Sequence, residues 1–161
     1  MKLNFEELYE EYSKDVYRFS YWLCGNRMEA EDITSETFIR AWVKFSRIRT
    51  ETLKGYLLTV ARHIFIDELR KNKKYRELTD VHTDKTPEPD QQLESKQELY
   101  RVQKLLMTFS EIDRAAFILR VEQELSYEEI ARILEISLVS AKVKVHRIRK
   151  KLIENRLKTE G

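Results

Sequence analysis

LSYEEIARILEISLVSAKVKVHRIRKKL, residues 125–152, contains a short alternation at Val143 and Val145 that reads as a strand and a longer period that does not. Ser126, Tyr127, Glu128 and Glu129 fit a capping box, in which the Ser126 hydroxyl accepts from a free backbone N–H and Glu129 reaches back. A helix therefore starts at this point and runs to about Leu134. Ser137 then stands as a second cap, because a serine oxygen satisfies a donor that a new helix leaves open. Beyond it Leu138, Ala141, Val145, Ile148 and Leu152 recur at spacings of three and four, the period of one helix face. The stretch is two helices joined by a short turn, a helix-turn-helix.

The second of these helices is strongly cationic. Ser137–Lys158 holds eight basic residues against one acidic, and no acid occurs between Ser137 and Lys151. A helix face that is merely solvated mixes signs at four-residue spacing, so the bias predicts an anionic partner, nucleic acid. With the apolar stripe on the core, Ser140, Lys144, Arg147 and Lys151 are expected on the far side, beside Lys142, Val143 and His146. Lys142 and Arg147 suit guanine edges, and Val143 a thymine methyl in a major groove. Ser140, Lys144, Arg149 and Lys150 suit phosphates. The plainer reading, a charged surface with one stray valine, stays open.

The full chain has 161 residues, 36% of them charged, with three Gly and two Pro, a composition that favours helices over turn-rich sheets. An all-α protein is expected. Its net charge of +2 hides an uneven distribution, for Met1–Glu36 carries nine acidic against four basic residues. A single cysteine, Cys24, excludes an internal disulfide and a cysteine-based zinc site, and the three histidines are scattered. No metal or other cofactor is expected. An acidic, amphipathic start and the lack of a long apolar run imply a cytoplasmic protein that does not insert in a membrane.

Asn72–Glu98 is polar, contains both prolines and lacks apolar periodicity, and so reads as a flexible linker between two small helical domains. Before it, Phe5, Leu8, Tyr12, Val16, Phe19 and Leu23 mark a first helix. Gly25 and Asn26 break the chain before a second. YLLTVARHIFIDELRK restores the helical period after a loop. In the second helix Ala30, Ile33, Thr37, Phe38, Ala41 and Phe45 suit a core. Asp32, Ser35, Glu36, Ile39 and Val43 form another side, carboxylates mixed with aliphatics. That side suits docking on a basic, partly apolar partner, or is ordinary surface. In the third helix Leu57, Leu58, Val60, Ala61, Ile64, Phe65 and Leu69 face inward, and Thr59, His63, Ile66, Arg70 and Lys73 outward. Arg62, Lys71 and Lys74 flank the outer face, which can hold a phosphate backbone. Tyr56 can stack on an unpaired base or serve as a core or capping aromatic.

Together LSYEEIARILEIS and VKVHRIRKKL resemble the promoter-reading domain of bacterial sigma factors. EAEDITSETFIRAW, Glu29–Trp42, resembles the polymerase-binding segment of the compact extracytoplasmic-function group, and GYLLTVARHIFIDELRKNKK, Gly55–Lys74, resembles the segment that reads and melts the minus-ten element. The resemblance implies a polymerase-binding and minus-ten domain over 1–74, a linker over 75–97 and a minus-thirty-five domain over 98–161. It implies that Asp32, Ser35, Glu36, Ile39 and Val43 meet the β′ clamp helices of core RNA polymerase, with the β subunit as a further contact. It also implies that the loop bearing Phe45, Arg47, Ile48 and Arg49 forms a pocket for melted DNA. An anti-sigma factor is implied as a controller.

Some positions depart from the family. Glu135 replaces a usual turn glycine, Ser35 a common glutamine and His63 a common asparagine, while Val139 and Val143 replace smaller residues. The expected function is an alternative sigma factor that binds core polymerase and promoter DNA and catalyses nothing itself. The competing expectation is a stand-alone helix-turn-helix regulator with an N-terminal dimerisation or sensor module.

Overall fold

A computed structural model describes residues 4–44, 53–79 and 94–160, and the described residues form seven helices and no strand. The chain divides into two compact units, Met1–Thr86 and Pro87–Gly161.

In the first unit α1 (Phe5–Cys24), α2 (Arg27–Val43) and α3 (Leu53–Thr79) pack pairwise. Asn4 caps α1 by accepting from the Glu7 N–H at 2.8 Å, and Asn26 caps α2 by accepting from the Glu29 N–H at 2.9 Å. Between the two, Gly25 ends α1 at φ 72°, a conformation that a Cβ would disfavour. The chain thus reverses within two residues and brings α2 back along α1. Leu8, Val16, Phe19 and Leu23 of α1 are buried, as are Ala30, Ile33, Phe38 and Ala41 of α2 and Leu57, Leu58, Ala61, Ile64 and Phe65 of α3. The Thr34 and Thr37 hydroxyls are also buried and donate to the carbonyls of Ala30 and Ile33, each at 2.7 Å. Burial pushes the Tyr12 phenol above its ordinary pKa, with the Glu11 and Asp15 carboxylates adding to it. Burial does the same at Tyr17 against the opposing pull of Arg27, so both phenols stay protonated near neutral pH.

Two details differ from the sequence reading. Val60 is half-buried because it stands at the edge of the face set by Leu57, Leu58, Ala61, Ile64 and Phe65, and Leu69 is exposed because the last turns of α3 run past the core. Helix also covers both ends of the stretch read as a linker, with α3 reaching Thr79 and α4 starting at Glu94. Lys, Arg, Glu and Leu fill those ends. They are good helix formers, and the lack of an apolar stripe does not prevent a solvated helix. Phe45, expected in the core, lies outside the described residues.

In the second unit α4 (Glu94–Leu106), α5 (Glu111–Val121), α6 (Tyr127–Leu134) and α7 (Leu138–Glu160) follow one another, with α5, α6 and α7 in mutual contact. Ser110, Ser126 and Ser137 each accept from the backbone N–H three residues on, at 3.3, 3.2 and 3.0 Å. These serine caps set the starts of α5, α6 and α7. Leu106, Ala115, Phe117, Ile118, Leu119, Ile130, Ile133, Leu134, Ala141, Val145 and Ile148 are buried around them.

The turn between α6 and α7 is left-handed at Glu135, with φ 55° and ψ 46°. The Ile136 N–H donates to the Ala131 carbonyl at 3.0 Å and the Glu135 N–H to the Arg132 carbonyl at 3.4 Å, a Schellman closure that glycine ordinarily provides. A side chain in that region costs about 1–2 kcal/mol, against about 0.5–1 kcal/mol of extra chain entropy that glycine loses on folding. Glu135→Gly should therefore stabilise the second unit by about 0.5–1 kcal/mol and raise its melting temperature by a few degrees. An unchanged or lower melting temperature would show that the strain is relieved elsewhere.

Candidate nucleic-acid interface

α7 is anchored by Ala141, Val145 and Ile148, all 0% exposed, and this fixes what its other sides present. Lys142, Val143, His146, Arg147, Arg149 and Lys150 are exposed, and Val139, 70% exposed, joins them. They form one broad cationic surface broken by two valines. Leu138, expected in the core, sits 37% exposed at the first turn, where α7 has just left the turn.

Lys144 requires a correction. It stands three residues after Ala141 and beside Val145, so helical geometry puts it near the buried side and not opposite it. Its Nζ meets Oδ1 of Asp113 at 2.8 Å, with the two side chains 19% and 17% exposed. Asp113 is itself in the first turn of α5, where a carboxylate is favoured by the helix dipole. Lys144 therefore ties α7 to α5 and is turned away from the cationic surface. Ser140 is half-buried next to it, its N–H held by the Ser137 hydroxyl.

A contact that the sequence reading missed lies at the start of α6. The Arg120 guanidinium sits 4.4 Å from the centre of the Tyr127 ring, and Lys142 Nζ lies 5.9 Å from it. Arg120 Nη1 also donates to the Leu125 carbonyl at 3.0 Å. Three helices meet at this one ring. No spacing rule links residues 120, 127 and 142, because the approach depends on how the loop folds between α5 and α6.

In the first unit the outer side of α3 carries His63, Arg70, Lys71, Lys73 and Lys74 exposed, with Tyr56, Arg62 and Ile66 half-buried. Lys71 is loosely paired with Glu68 at 3.8 Å. Phe45, Arg47 and Arg49 lie outside the described residues. On α2, Asp32, Ser35, Ile39 and Val43 are exposed, the aliphatics at 58% and 77%. Glu36 is half-buried and accepts from Arg40 Nε at 3.0 Å. Met28, also exposed, extends this row toward the start of α2. An open groove beside it is lined by Glu29, Asp32 and Glu36 of α2 and by Asp67, Glu68 and Lys71 of α3.

Comparison with known proteins accounts for both units. Residues 8–75 match the family Sigma-70 region 2, and residues 99–152 match Sigma-70 region 4. The ECF RNA polymerase sigma factor SigM of Bacillus subtilis is 32% identical over 155 residues, covering 93% of this chain and 93% of SigM. SigE of Mycolicibacterium smegmatis, also an ECF RNA polymerase sigma factor, is 31% identical over 154 residues, which span 92% of this chain and 60% of SigE. Among solved structures, the sigma factor RpoE in complex with the anti-sigma factor NepR from Bartonella quintana aligns with a TM-score of 0.82 at 27% identity, over 93% of this chain and 94% of that one. The N-terminal block is thus matched as region 2, which disfavours the dimerisation or sensor module of a stand-alone regulator. With a helix-turn-helix whose two helices start at serine caps behind a three-helix unit, and with both matched in that order, the chain belongs to the sigma-70 family as an alternative RNA polymerase sigma factor of the extracytoplasmic-function group.

Proposed function

We propose that this sigma factor works in the cytoplasm by joining core RNA polymerase and directing it to promoters through both units, without catalysing a reaction itself. Residues 1–74 form the polymerase-binding and minus-ten part, and residues 98–161 the minus-thirty-five part, joined through residues 75–97. The single observation that carries the reading is the cationic surface of α7, with Lys142, Val143, His146, Arg147, Arg149 and Lys150 exposed over a fully buried Ala141–Val145–Ile148 row. On α2, Asp32, Ser35, Glu36, Ile39 and Val43 offer carboxylates and aliphatics to the β′ clamp helices, and the β subunit is a second contact. His63, Ile66, Arg70, Lys71, Lys73 and Lys74, with Tyr56 and Arg62, hold the melted minus-ten strand, assisted by Phe45, Arg47 and Arg49. Capture of unstacked bases costs a few kcal/mol, which stacking and backbone contacts offset. An anti-sigma factor holds the chain inactive, a reading supported by the NepR complex of the similar RpoE. No described helix is long and apolar enough to cross a membrane, in keeping with the proposed location.

Run-off transcription with core polymerase over a promoter library tests the reading. The chain should start transcripts from a sequence-defined subset, and core alone should not. Asp32→Arg with Glu36→Arg should reduce polymerase capture at least tenfold by reversing charge on the docking side, while the helix content stays the same. Removing the solvent-accessible Glu36–Arg40 pair, whose side chains are each 45% exposed, costs the fold little. Unchanged co-purification with polymerase would remove α2 from the interface.

A further inference from the structure

We infer that Tyr127 is a positioning residue for Lys142 and thereby sets selectivity for the upstream promoter element. This rests on the proposed role of Lys142 as a base contact. Tyr127 is the first residue of α6, and the Ser126 cap, accepting from Glu129 N–H at 3.2 Å, fixes the backbone from which its half-buried ring projects. Arg120 lies 4.4 Å from the ring centre and is itself held by the Leu125 carbonyl at 3.0 Å. The ring is therefore anchored before any ligand arrives. Lys142 Nζ lies 5.9 Å from the same ring, at the outer reach of a cation–π attraction.

What the ring changes is the direction of a flexible cation. Lysine carries its charge on a long, freely rotating stem. On its own helix, the residues three and four away are Leu138, Val139, Val145 and His146, none of which supplies a carboxylate to hold it. An unrestrained lysine at a groove turns to the nearest phosphate, which carries no sequence information, whereas one restrained by the Tyr127 ring points along the groove to a base edge. Removing the ring should then lower discrimination between sequences more than it lowers overall affinity. A tyrosine that served packing alone would affect all sequences equally.

The test uses the full chain assembled with core polymerase on promoter pairs that differ at one upstream base pair, and compares Tyr127→Phe, Tyr127→Leu, Lys142→Ala and the double variant Tyr127→Leu/Lys142→Ala. Tyr127→Met replaces Tyr127→Leu if the latter melts early. Tyr127→Phe should keep the wild-type preference ratio. Loss of the ring should cut that ratio about two- to fivefold, the range of an exposed cation–π contact, and should have no further effect once Lys142 is absent. The inference is overturned if Tyr127→Leu leaves the ratio intact while Lys142→Ala changes it, if the two losses add, or if Tyr127→Phe loses as much as Tyr127→Leu, which would assign the effect to the hydroxyl. If Lys142→Ala itself leaves the ratio unchanged, base reading by Lys142 has failed and the inference fails with it.

Discussion

Ile148→Ala is expected to destabilise the second unit by about 2–5 kcal/mol and to leave the first untouched. Ile148 is fully buried on the core side of α7, so truncation removes transfer free energy and leaves a cavity that the surrounding helices fill incompletely. The two tryptophans of the chain, Trp22 and Trp42, both belong to the first unit, while helix is present in both. Tryptophan emission therefore follows one unit, and far-ultraviolet circular dichroism follows their sum. In the variant, an early loss of ellipticity should appear with the fluorescence transition at its wild-type temperature. A parallel shift of both signals would mean that the units unfold as one and would count against two separate domains.

Arg147→Ala and Lys144→Ala should separate two uses of the same charge. Arg147 is exposed on the cationic surface, and loss of a base contact there is worth about 1–3 kcal/mol at one position of the upstream element. That is about a five- to 150-fold change in preference between promoters. Lys144→Ala instead leaves Asp113 without its partner at 2.8 Å and should reduce the stability of the second unit by about 1–3 kcal/mol. Its effect on promoters should be uniform. Initiation assays across a promoter panel, read beside melting curves, distinguish these outcomes. Equal loss on every promoter for Arg147→Ala would refute base reading by that residue.

The helix-turn-helix was legible because its signals are local. Ser126 and Ser137 announce the two helix starts, and Ala141, Val145 and Ile148 keep the helical period through a stretch whose valines imitate a strand. Lys144 was misplaced for a simpler reason. Its three-residue distance from Ala141 already put it beside the core, and Asp113, which receives it, is 31 residues earlier. The Tyr127 cluster is non-local in the same way. The extension of α3 to Thr79 was overlooked because a solvated helix made of Lys, Arg and Glu has no apolar stripe to read. Glu135 is the opposite case, since the departure from glycine marked the one turn at which the backbone is left-handed between α6 and α7.

The bond from Lys144 to Asp113 works as an azimuth pin. Together with the buried Ala141–Val145–Ile148 row, it holds the rotation of α7 about its own axis from a point away from the cationic surface, so the aim of the outward residues is inherited in part from α5. Exchange of Val139, Lys142, Val143, His146 and Arg147 for those of a relative should then re-target the protein without re-aiming the rod that bears them, provided that position 113 keeps an acid and position 144 a base.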